Sequence, residues 1–572
     1  MKNQQHWFKR ITLTLLVLAL FAGGISVRAH VVAQRNTWDL TLPSLHEAFE
    51  DFFLFGNTYS GGGHNVPGYG WDNPIMSAAT YEMFKHHFNA VTAENWHKPQ
   101  PIAPGNWRPD EFNFVQADRI VDFAVDNDIA LIGHALVWHS QSPNWLFRTG
   151  GGTEAQPLTR AQARENMEFY IRTLSEHWAE RGMIGAFYSW DVANEVISSS
   201  VGAFSGDWRN HIRSVDNAWL DAYANNPTGI PGHPTDYIYD AFILARRYFP
   251  YSVLYYNDYN EQQPGKREAI AQMVEYFNTR WAHDFENNPE AVARGLRYSG
   301  RLLIEGIGMQ AHYHAMGGWT GWGPPNNPAT SNVRLSIERF VQTGARVSIT
   351  ELDITLGGFG WQEIPNPTQA QLQTQAEFYA RVFSYILEFS DHIPRVSVWG
   401  LADSHSWRRV GHPLLFNANY QAKPAFHAIH QALADFERAN RNRVVNAPTI
   451  TTDETLPRGT TRNHYITQLT AERNNWAPIL WTVEEGNLPP GLRLHSRTGV
   501  IEGTPTRNGT FNFTIGIENS GGLTTQEFSI TIGIQGSSSV TNEPATEAEE
   551  TNVATPQPTP TPAPVVPSLP SN

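Results

Sequence analysis

Two glutamates lie at the ends of short apolar segments, where their carboxylates could act as a pair. Glu195 closes the run WDVANE, and Glu351 lies within the run ITELDI. Two carboxylates can divide the work of acid and base when their surroundings differ, because one then keeps a proton that the other has lost. These two segments therefore predict acid–base chemistry, provided that the fold brings them to one site.

Other polar and aromatic side chains follow further apolar segments in the same way. The candidate residues outside the glutamate pair are Glu94, Asn95, Lys98, His134, Trp138, Gln141, Asn194, Asp258, Tyr259, Gln310, His312, Asp353, Trp399 and Trp407. Buried polar groups are costly unless they are paired, so chance does not explain polar residues at seven of eight segment ends. The set predicts a single site built from many segment ends.

The candidate residues lie on a pattern in which short β-branched strands alternate with longer helical stretches. The predicted strands are Phe53–Thr58, Phe88–Ala93, Ile129–Trp138, Phe187–Ala193, Ser252–Asn257, Leu302–Met309, Val347–Leu352 and Arg395–Leu401. Alternating strands and helices indicate an α/β fold with parallel strands. Eight such units over residues 36–439 predict a (β/α)₈ TIM barrel, whose chemistry lies at the carboxyl ends of its strands. A doubly wound open sheet is the alternative.

Composition excludes several classes of function. The chain has 572 residues with 41 Lys and Arg against 55 Asp and Glu, a formal net charge of −14. An acidic surface repels the nucleic-acid backbone, so we expect no nucleic-acid partner. The absence of cysteine excludes disulfides, cysteine-ligated metals and cysteine nucleophiles. The 19 Trp and 20 Tyr are typical of proteins that stack flat sugar rings.

The two ends of the chain differ from its middle. Residues 1–29 have a basic start, an apolar run and a small-residue cleavage site before His30, which predicts a signal peptide and a secreted protein. The apolar run is shorter than the roughly 20 residues that span a bilayer, so we expect no membrane span in the mature protein. Residues 536–572 are rich in Thr and Pro and predict a disordered spacer, which either reaches toward a cell-surface partner or marks a truncated chain.

Residues 446–534 predict a small all-β sandwich, because short alternating strands are separated by Gly- and Pro-rich turns. The runs PPGL at 489–492 and TGVIEGTP at 498–505 resemble the immunoglobulin-like, cadherin-like modules of exported bacterial enzymes. The resemblance implies an accessory module that contacts a cell surface or a polysaccharide. We expect that removing it leaves turnover nearly unchanged.

The segments of the first region resemble those of the family 10 glycoside hydrolases, the endo-β-1,4-xylanases, along the whole barrel. The runs WDVANE and ITELDI, in that order, carry the resemblance. It implies a retaining hydrolase of xylan, with Glu195 as general acid/base and Glu351 as nucleophile. We then expect partial desolvation to raise the pKa of Glu195, since it must hold a proton near neutral pH.

The resemblance also implies roles for the remaining site residues. Asn194 would bind the sugar 2-hydroxyl, and His312, oriented by Asp353, would hold the nucleophile. His134, Trp138 and Gln141 would line the −1 subsite, with Glu94, Asn95 and Lys98 at the next sugar. Trp399 and Trp407 would form aromatic walls, and Asp258, Tyr259 and Gln310 would support the leaving-group side.

Three alternatives stay open at this point. The enzyme could be a β-1,4-glucanase, or it could act on both xylan and β-1,4-glucan. Glucose carries a hydroxymethyl group that xylose lacks, and no motif shows whether the site rejects that group. The chain could also be a non-catalytic xylan-binding protein, although both glutamates are present. His312 and His314 lie on one strand face, as metal ligands can, but no third ligand is evident, so we expect neither a metal nor a cofactor.

Overall fold

A computed structural model describes residues 39–59, 78–150, 155–289, 292, 299–315, 332–357 and 363–534. The predicted signal peptide at 1–29 and the predicted spacer at 536–572 lie outside these residues. Within the described ranges, no helix is both long and apolar enough to cross a membrane.

Eight parallel strands close a barrel in the first region. Its strands are β1 Leu54–Tyr59, β2 Ala90–Ala93, β3 Ala130–Trp138, β4 Phe187–Asn194, β5 Val253–Asp258, β6 Gly306–Met309, β8 Arg346–Thr355 and β9 Arg395–Val398. Each pairs with its neighbour in this order, and β9 returns to β1, where Leu54 lies opposite Arg395. A short strand, β7 (His312–His314), continues the line of β6 along β8. The closed order confirms the TIM barrel and rules out the open sheet.

Helices follow the strands and bury one face against them. They are α1 Leu45–Ala48, α2 Ala78–His87, α3 Pro99–Ile102, α4 Val115–Asp126, α5 Arg160–Glu180, α6 Ala218–Ala224, α7 Asp236–Tyr248, α8 Pro264–Glu286, α9 Asn332–Val341, α10 Gln369–Glu388 and α11 Pro424–Ala439. Capping boxes at Thr159 and Thr368 begin the long helices α5 and α10. Pro264 and Pro424 open α8 and α11, because the first turn needs no N–H from them.

The sixth predicted strand, Leu302–Met309, begins four residues too early. Ile304 is buried like a strand residue, but its N–H and C=O pair with the side chain of Asn278 on α8, at 2.8 and 3.0 Å. A helix side chain thus replaces the sheet as its hydrogen-bond partner. An apolar pattern reports burial and cannot reveal such a partner, so the strand itself starts at Gly306.

The second region forms the predicted all-β module. Its strands are β10 Thr449–Ile450, β11 Gly459–Thr460, β12 Tyr465–Gln468, β13 Ala471–Glu472, β14 Leu480–Gly486, β15 Leu492–Leu494, β16 Val500–Gly503, β17 Gly509–Asn519 and β18 Gly522–Gly533. A four-stranded sheet, β11-β18-β17-β14, and a three-stranded sheet, β12-β16-β15, both contribute to one apolar core. Trp481, Ile501, Ile515 and Phe528 lie in that core, which confirms an immunoglobulin-like sandwich.

The module packs against the amino-terminal ends of the barrel strands, opposite the end that carries the predicted site. The buried carboxylate of Glu502 accepts the backbone N–H of Gly185, just before β4, at 3.2 Å. Thr498 donates to the carbonyl of Gly185 at 2.6 Å, and Arg497 donates to the carbonyl of Asp128, before β3, at 2.6 Å. The two regions are therefore joined by polar contacts, of which the one at Glu502 is buried, as well as by the chain itself.

A single methyl group at this junction is expected to lower stability without touching the site. A Cβ added at Gly185 would lie 2.4 Å from Cγ1 of Val500, so Gly185→Ala forces the module and the barrel apart. Overpacking of this kind costs about 1–3 kcal/mol, and thermal unfolding of the variant should begin several degrees earlier. Gly202→Ala is the matched control, because no atom lies within 4 Å of its added Cβ. An unchanged melting temperature for Gly185→Ala would contradict the described junction.

Candidate active site

The predicted residues converge on one cleft at the carboxyl ends of the barrel strands. The residues that line it are Glu94, Asn95, Lys98, His134, Trp138, Gln141, Asn194, Glu195, Tyr259, Asn260, Gln310, His312, His314, Glu351, Trp399, Trp407 and Arg408. Of the residues predicted from the sequence, only Asp258 and Asp353 do not line it. Both are completely buried behind the wall and reach the cleft through other side chains.

Glu351 lies on β8 and is held by two neighbours. Nδ2 of Asn257 donates to its Oε1 at 2.8 Å, and Nε2 of His312 lies 3.3 Å from its Oε2. The side chain is only 6% exposed, so it faces the cleft from a fixed position. A carboxylate that is held at both oxygens and opens to a cleft is arranged to act as a nucleophile or as an electrostatic partner.

His312 is held between two carboxylates. Its Nδ1 lies 3.0 Å from Asp353, and its other nitrogen faces Glu351. Burial alone would lower the pKa of His312, but the charge of Asp353 and the hydrogen bonds to both carboxylates raise it to about 9. Burial likewise opposes ionisation of Asp353, whose pKa is nevertheless lowered by Arg408 and His312. The group is therefore a charged row of Arg408, Asp353, His312 and Glu351.

This row makes stability depend on pH. Because the pKa of His312 is about 9 when folded and near 6.5 when unfolded, its stabilisation is complete below pH 6.5 and is lost as the pH rises toward 9. The difference in unfolding free energy between the wild type and His312→Asn should shrink by up to about 3 kcal/mol over that interval.

Denaturant unfolding at several pH values measures this effect. His87→Asn is a suitable control, since burial lowers the pKa of His87 to about 3, so that the residue is neutral throughout this interval when folded and from about pH 7.5 upward when unfolded as well. A constant difference between wild type and His312→Asn from pH 6.5 to 9 would show that His312 is not held as a cation.

Glu195 follows β4 with a left-handed backbone, φ 58°. Its Oε1 accepts from Nε2 of Gln310 at 3.0 Å and from Nδ2 of Asn194 at 3.3 Å, and Nε2 of His139 lies 3.9 Å from Oε2. The side chain is 13% exposed at the cleft. It faces a cluster of donors, whereas Glu351 faces an amide and a cationic imidazole.

The predicted rise in the pKa of Glu195 is wrong for the free protein. Burial does raise the pKa, but the hydrogen bond from Gln310 and the nearby His139, Trp138 and Lys266 together lower it. The sequence could indicate desolvation but not these neighbouring groups, which lie at the ends of β3 and β6 and on α8. A substrate that covers the carboxyl would have to strengthen desolvation before Glu195 could hold a proton.

One side of the cleft carries a polar cluster beside an aromatic ring. Nζ of Lys98 donates to Asn95 at 2.9 Å and lies 4.7 Å from the ring centroid of Trp138. Burial lowers the pKa of Lys98 despite the nearby glutamates. His134, paired with Asp191 at 2.8 Å, also lines the cleft. The polar cluster can form hydrogen bonds with the hydroxyl groups of a ligand, while the Trp138 ring covers an apolar face of the same ligand.

Two further indoles border the cleft. The ring of Trp399 lies edge-on to His134, with centroids 5.5 Å apart, and the ring of Trp407 lies edge-on to His312 at 5.1 Å. Trp399 is 6% exposed. Both indoles thus belong to the site and not to the hydrophobic core under the helices. Flat rings beside polar groups are suited to binding sugars.

Asn257 and Arg408 belong to the site but were not predicted from the sequence, and neither was Asn260, which lines the cleft. Asn257 links the surroundings of the two glutamates, because its Nδ2 donates both to Glu351 and to Oδ1 of Asn194, the residue before Glu195, the latter at 3.0 Å. Arg408 pairs with Asp353 and lies 3.0 Å from His314. Asn257 could have been found from its place beside Asp258 at a strand end. No comparable signal exists for Arg408, which lies in a loop after Trp407.

In the described part of the chain, no group of three His, Cys, Asp or Glu residues is placed to hold a metal ion. His312 and His314, the pair weighed as ligands, have other partners. His314 faces Thr355 at 2.8 Å and the guanidinium of Arg408, whose charge would oppose a cation there.

Comparison with known proteins agrees with this geometry. The model of glycosyl hydrolase family 10 matches residues 56–432, and an immunoglobulin (Ig) domain model matches residues 447–533. Endo-1,4-beta-xylanase A of Caldicellulosiruptor saccharolyticus is 32% identical over 359 residues, which are 61% of this chain and 87% of the relative. An endo-1,4-beta-xylanase of Geobacillus stearothermophilus is 30% identical over 401 residues, 68% of this chain and 97% of the relative.

Solved structures give the same result. A family 10 xylanase with a bacterial Ig-like domain, from termite gut, is 31% identical with a TM-score of 0.55, covering 71% of this chain and 81% of that one. The intracellular xylanase of Thermoanaerobacterium saccharolyticum, in a mutant complex with xylotriose, is 26% identical with a TM-score of 0.53. That match covers 69% of this chain and all of the other.

Proposed function

The chain belongs to glycosyl hydrolase family 10 and is an endo-1,4-β-xylanase, and we propose that it hydrolyses internal bonds of xylan with retention of configuration. Glu195 is the general acid/base and Glu351 the nucleophile. The observation that supports this assignment is the placement of the two carboxylates in one cleft, each with different partners. Two carboxylates in different surroundings are what such a reaction needs.

In the first step, a carboxylate oxygen of Glu351 attacks the anomeric carbon of the sugar in the −1 subsite. The bond from that carbon to the leaving oxygen breaks as Glu195 transfers its proton to the oxygen. Asn257 and the cationic His312 hold Glu351 in place for the attack. Asn194, which donates to Glu195, binds the 2-hydroxyl of the same sugar.

In the second step, Glu195 takes a proton from water, and the water oxygen attacks the same carbon from the face that the leaving group vacated. The bond to Glu351 breaks and its carboxylate is restored, while Glu195 regains the proton that it gave away. The charge of Glu351 is absent in the intermediate, and the donors around Glu195 favour its ionised form. The low pKa of Glu195 in the free protein therefore suits the second step.

The rest of the cleft provides the subsites. His134, Trp138 and Gln141 surround the −1 sugar, and Glu94, Asn95 and Lys98 bind the next sugar toward the non-reducing end. Trp399 and Trp407 cover apolar sugar faces. Tyr259 and Gln310 lie on the leaving-group side, and the buried Asp258 and Asp353 support them and His312 from behind.

We also propose that the enzyme is exported, because residues 1–29 have the pattern of a signal peptide. The mature protein then begins at His30, which amino-terminal sequencing of protein from the culture medium would test. Recovery of the intact leader on the purified protein would contradict export by cleavage. The module and the Thr/Pro-rich residues 536–572 would place the barrel near a cell surface or a polysaccharide.

Release of reducing sugar from xylan and from carboxymethylcellulose tests the substrate. We expect release from xylan and little from the cellulose derivative. Release mainly from carboxymethylcellulose would be compatible with the proposed mechanism but would establish the glucanase alternative for the substrate. No release from either polymer, by protein that is folded, would favour the xylan-binding alternative.

A further inference from the structure

The backbone at Glu195 has a conformation that needs support. Its φ of 58° lies in the left-handed region, which residues with a side chain seldom adopt. The conformation turns the carboxyl into the cleft as β4 ends. Since such a backbone persists only where its surroundings hold it, its hydrogen-bond partners show which residues do so.

The hydroxyl of Tyr256 is one of these partners. It accepts the backbone N–H of Val196 at 3.1 Å and that of Ile197 at 3.2 Å, the two residues that follow Glu195. One oxygen atom thus fixes two consecutive peptide groups. Glu195 itself donates its N–H to the carbonyl of Asn257 on β5 at 2.9 Å, so the whole turn is tied to that strand.

A buried ion pair orients the Tyr256 hydroxyl. The hydroxyl donates to Asp258, whose other oxygen accepts from Nζ of Lys266 at 2.7 Å. All three side chains are completely buried. Burial and the charge of Asp258 raise the pKa of Tyr256 far above its usual value, so the phenol keeps its proton. Because that proton points to Asp258, both lone pairs of the oxygen are free to accept the two N–H groups.

Arg213 supports the same turn from its partly exposed side. Its Nε donates to the carbonyl of Glu195 at 3.1 Å, and its other end donates to the hydroxyl of Tyr259 at 2.9 Å. The backbone N–H of Arg213 also donates to the carbonyl of Val196 at 2.8 Å. Polar groups of Glu195 and of both following residues are therefore held by Tyr256 and Arg213 together.

We propose that Tyr256 and Arg213 are positioning residues that hold the acid/base Glu195 in its proton-transfer geometry. The proposal rests on the proposed role of Glu195. Neither residue needs to touch the substrate; they act through the backbone that carries the carboxyl group. Small displacements of a catalytic group can cost a factor of about 100 in rate. That cost should appear only where the reaction depends on the proton of Glu195.

The test compares kcat/KM for aryl β-xylobiosides whose leaving groups differ. Phenol is a poor leaving group that needs the proton, whereas dinitrophenol leaves without it. Tyr256→Phe removes one oxygen, and we expect it to lower kcat/KM about 10- to 100-fold for the phenyl substrate. For the dinitrophenyl substrate we expect less than about a threefold change, because kcat/KM reports only the steps through formation of the glycosyl-enzyme.

Tyr255→Phe is the matched control. Tyr255 is the neighbouring residue on β5, is equally buried, and its hydroxyl accepts from Ser348 at 3.0 Å instead of contacting the turn. It should show no dependence on the leaving group. Arg213→Met, at a partly exposed position, gives a second test if Tyr256→Phe does not fold, with the same selective loss expected.

Equal losses on both substrates, no loss, or the same selectivity in Tyr255→Phe would overturn the proposal. Glu195→Ala is measured alongside to separate it from the proposed function. If Glu195→Ala itself shows no dependence on the leaving group, the role of Glu195 fails. If Glu195→Ala shows that dependence and both Tyr256→Phe and Arg213→Met lack it, only the positioning role fails.

Discussion

Glu351→Ala is expected to lower xylan hydrolysis by at least about four orders of magnitude, the scale on which loss of one essential catalytic group acts. Without the carboxylate, no glycosyl-enzyme can form, and the oxocarbenium-like centre loses its facing charge. Binding should survive, because the aromatic walls and the cluster at Lys98 are unchanged. Reducing-sugar release measures the loss, with the melting temperature as a control for folding.

A small anion provides a sharper control for the same variant. Azide can occupy the space that Glu351 leaves and attack from the same face, while Glu195 still donates its proton. The product should then be an α-xylosyl azide. Glu351→Ala with activity near that of the wild type on xylan would refute the nucleophile assignment, and so would rescue that gives the β-azide.

Glu195→Ala is expected to produce the second large effect, and that effect should depend on the leaving group. Loss of a general acid costs about 10²–10⁴-fold in kcat/KM on xylan. Hydrolysis of a dinitrophenyl β-xylobioside should keep most of its kcat/KM, since its leaving group needs no proton. The test is to measure kcat/KM of wild type and Glu195→Ala on both substrates and to compare the loss on xylan with the loss on the dinitrophenyl substrate.

The second step of Glu195→Ala should also be slow, because no base activates the water. Azide would then attack the glycosyl-enzyme from the open face and give a β-xylosyl azide, the opposite outcome to that of Glu351→Ala. The two variants are thus controls for each other. Equal losses on xylan and on the activated substrate would contradict the acid/base role.

The barrel could be predicted because its apolar strands repeat along the chain. The site could be predicted because the strand ends carry polar residues, which are costly to bury unless they are paired. Glu195, Glu351 and His312 followed from such positions. The details that escaped prediction depend on contacts between distant segments. The side chain of Asn278, and not a neighbouring strand, is the hydrogen-bond partner of Ile304, so β6 starts later than its apolar pattern predicts. Arg408 pairs with Asp353, which lies 55 residues earlier in the chain.

Electrostatics were the least predictable property of the site. Burial at a strand end correctly indicates desolvation of Glu195, but its pKa is set by donors such as Gln310, 115 residues away. The packing of the module was equally hidden. Its turns are visible in the sequence, whereas the contact of Glu502 with Gly185 joins residues that are 317 positions apart in the chain.

The anomeric configuration of the first product is the most direct test of whether Glu351 acts as the nucleophile. Proton NMR of xylohexaose mixed with fresh enzyme records the new reducing end before it mutarotates. We expect the β-anomer to appear first and the α-anomer to grow in later at the rate of free mutarotation. An α-anomer formed first would mean a single displacement by water and would contradict the nucleophilic role of Glu351; folded protein that forms no product would contradict the activity itself.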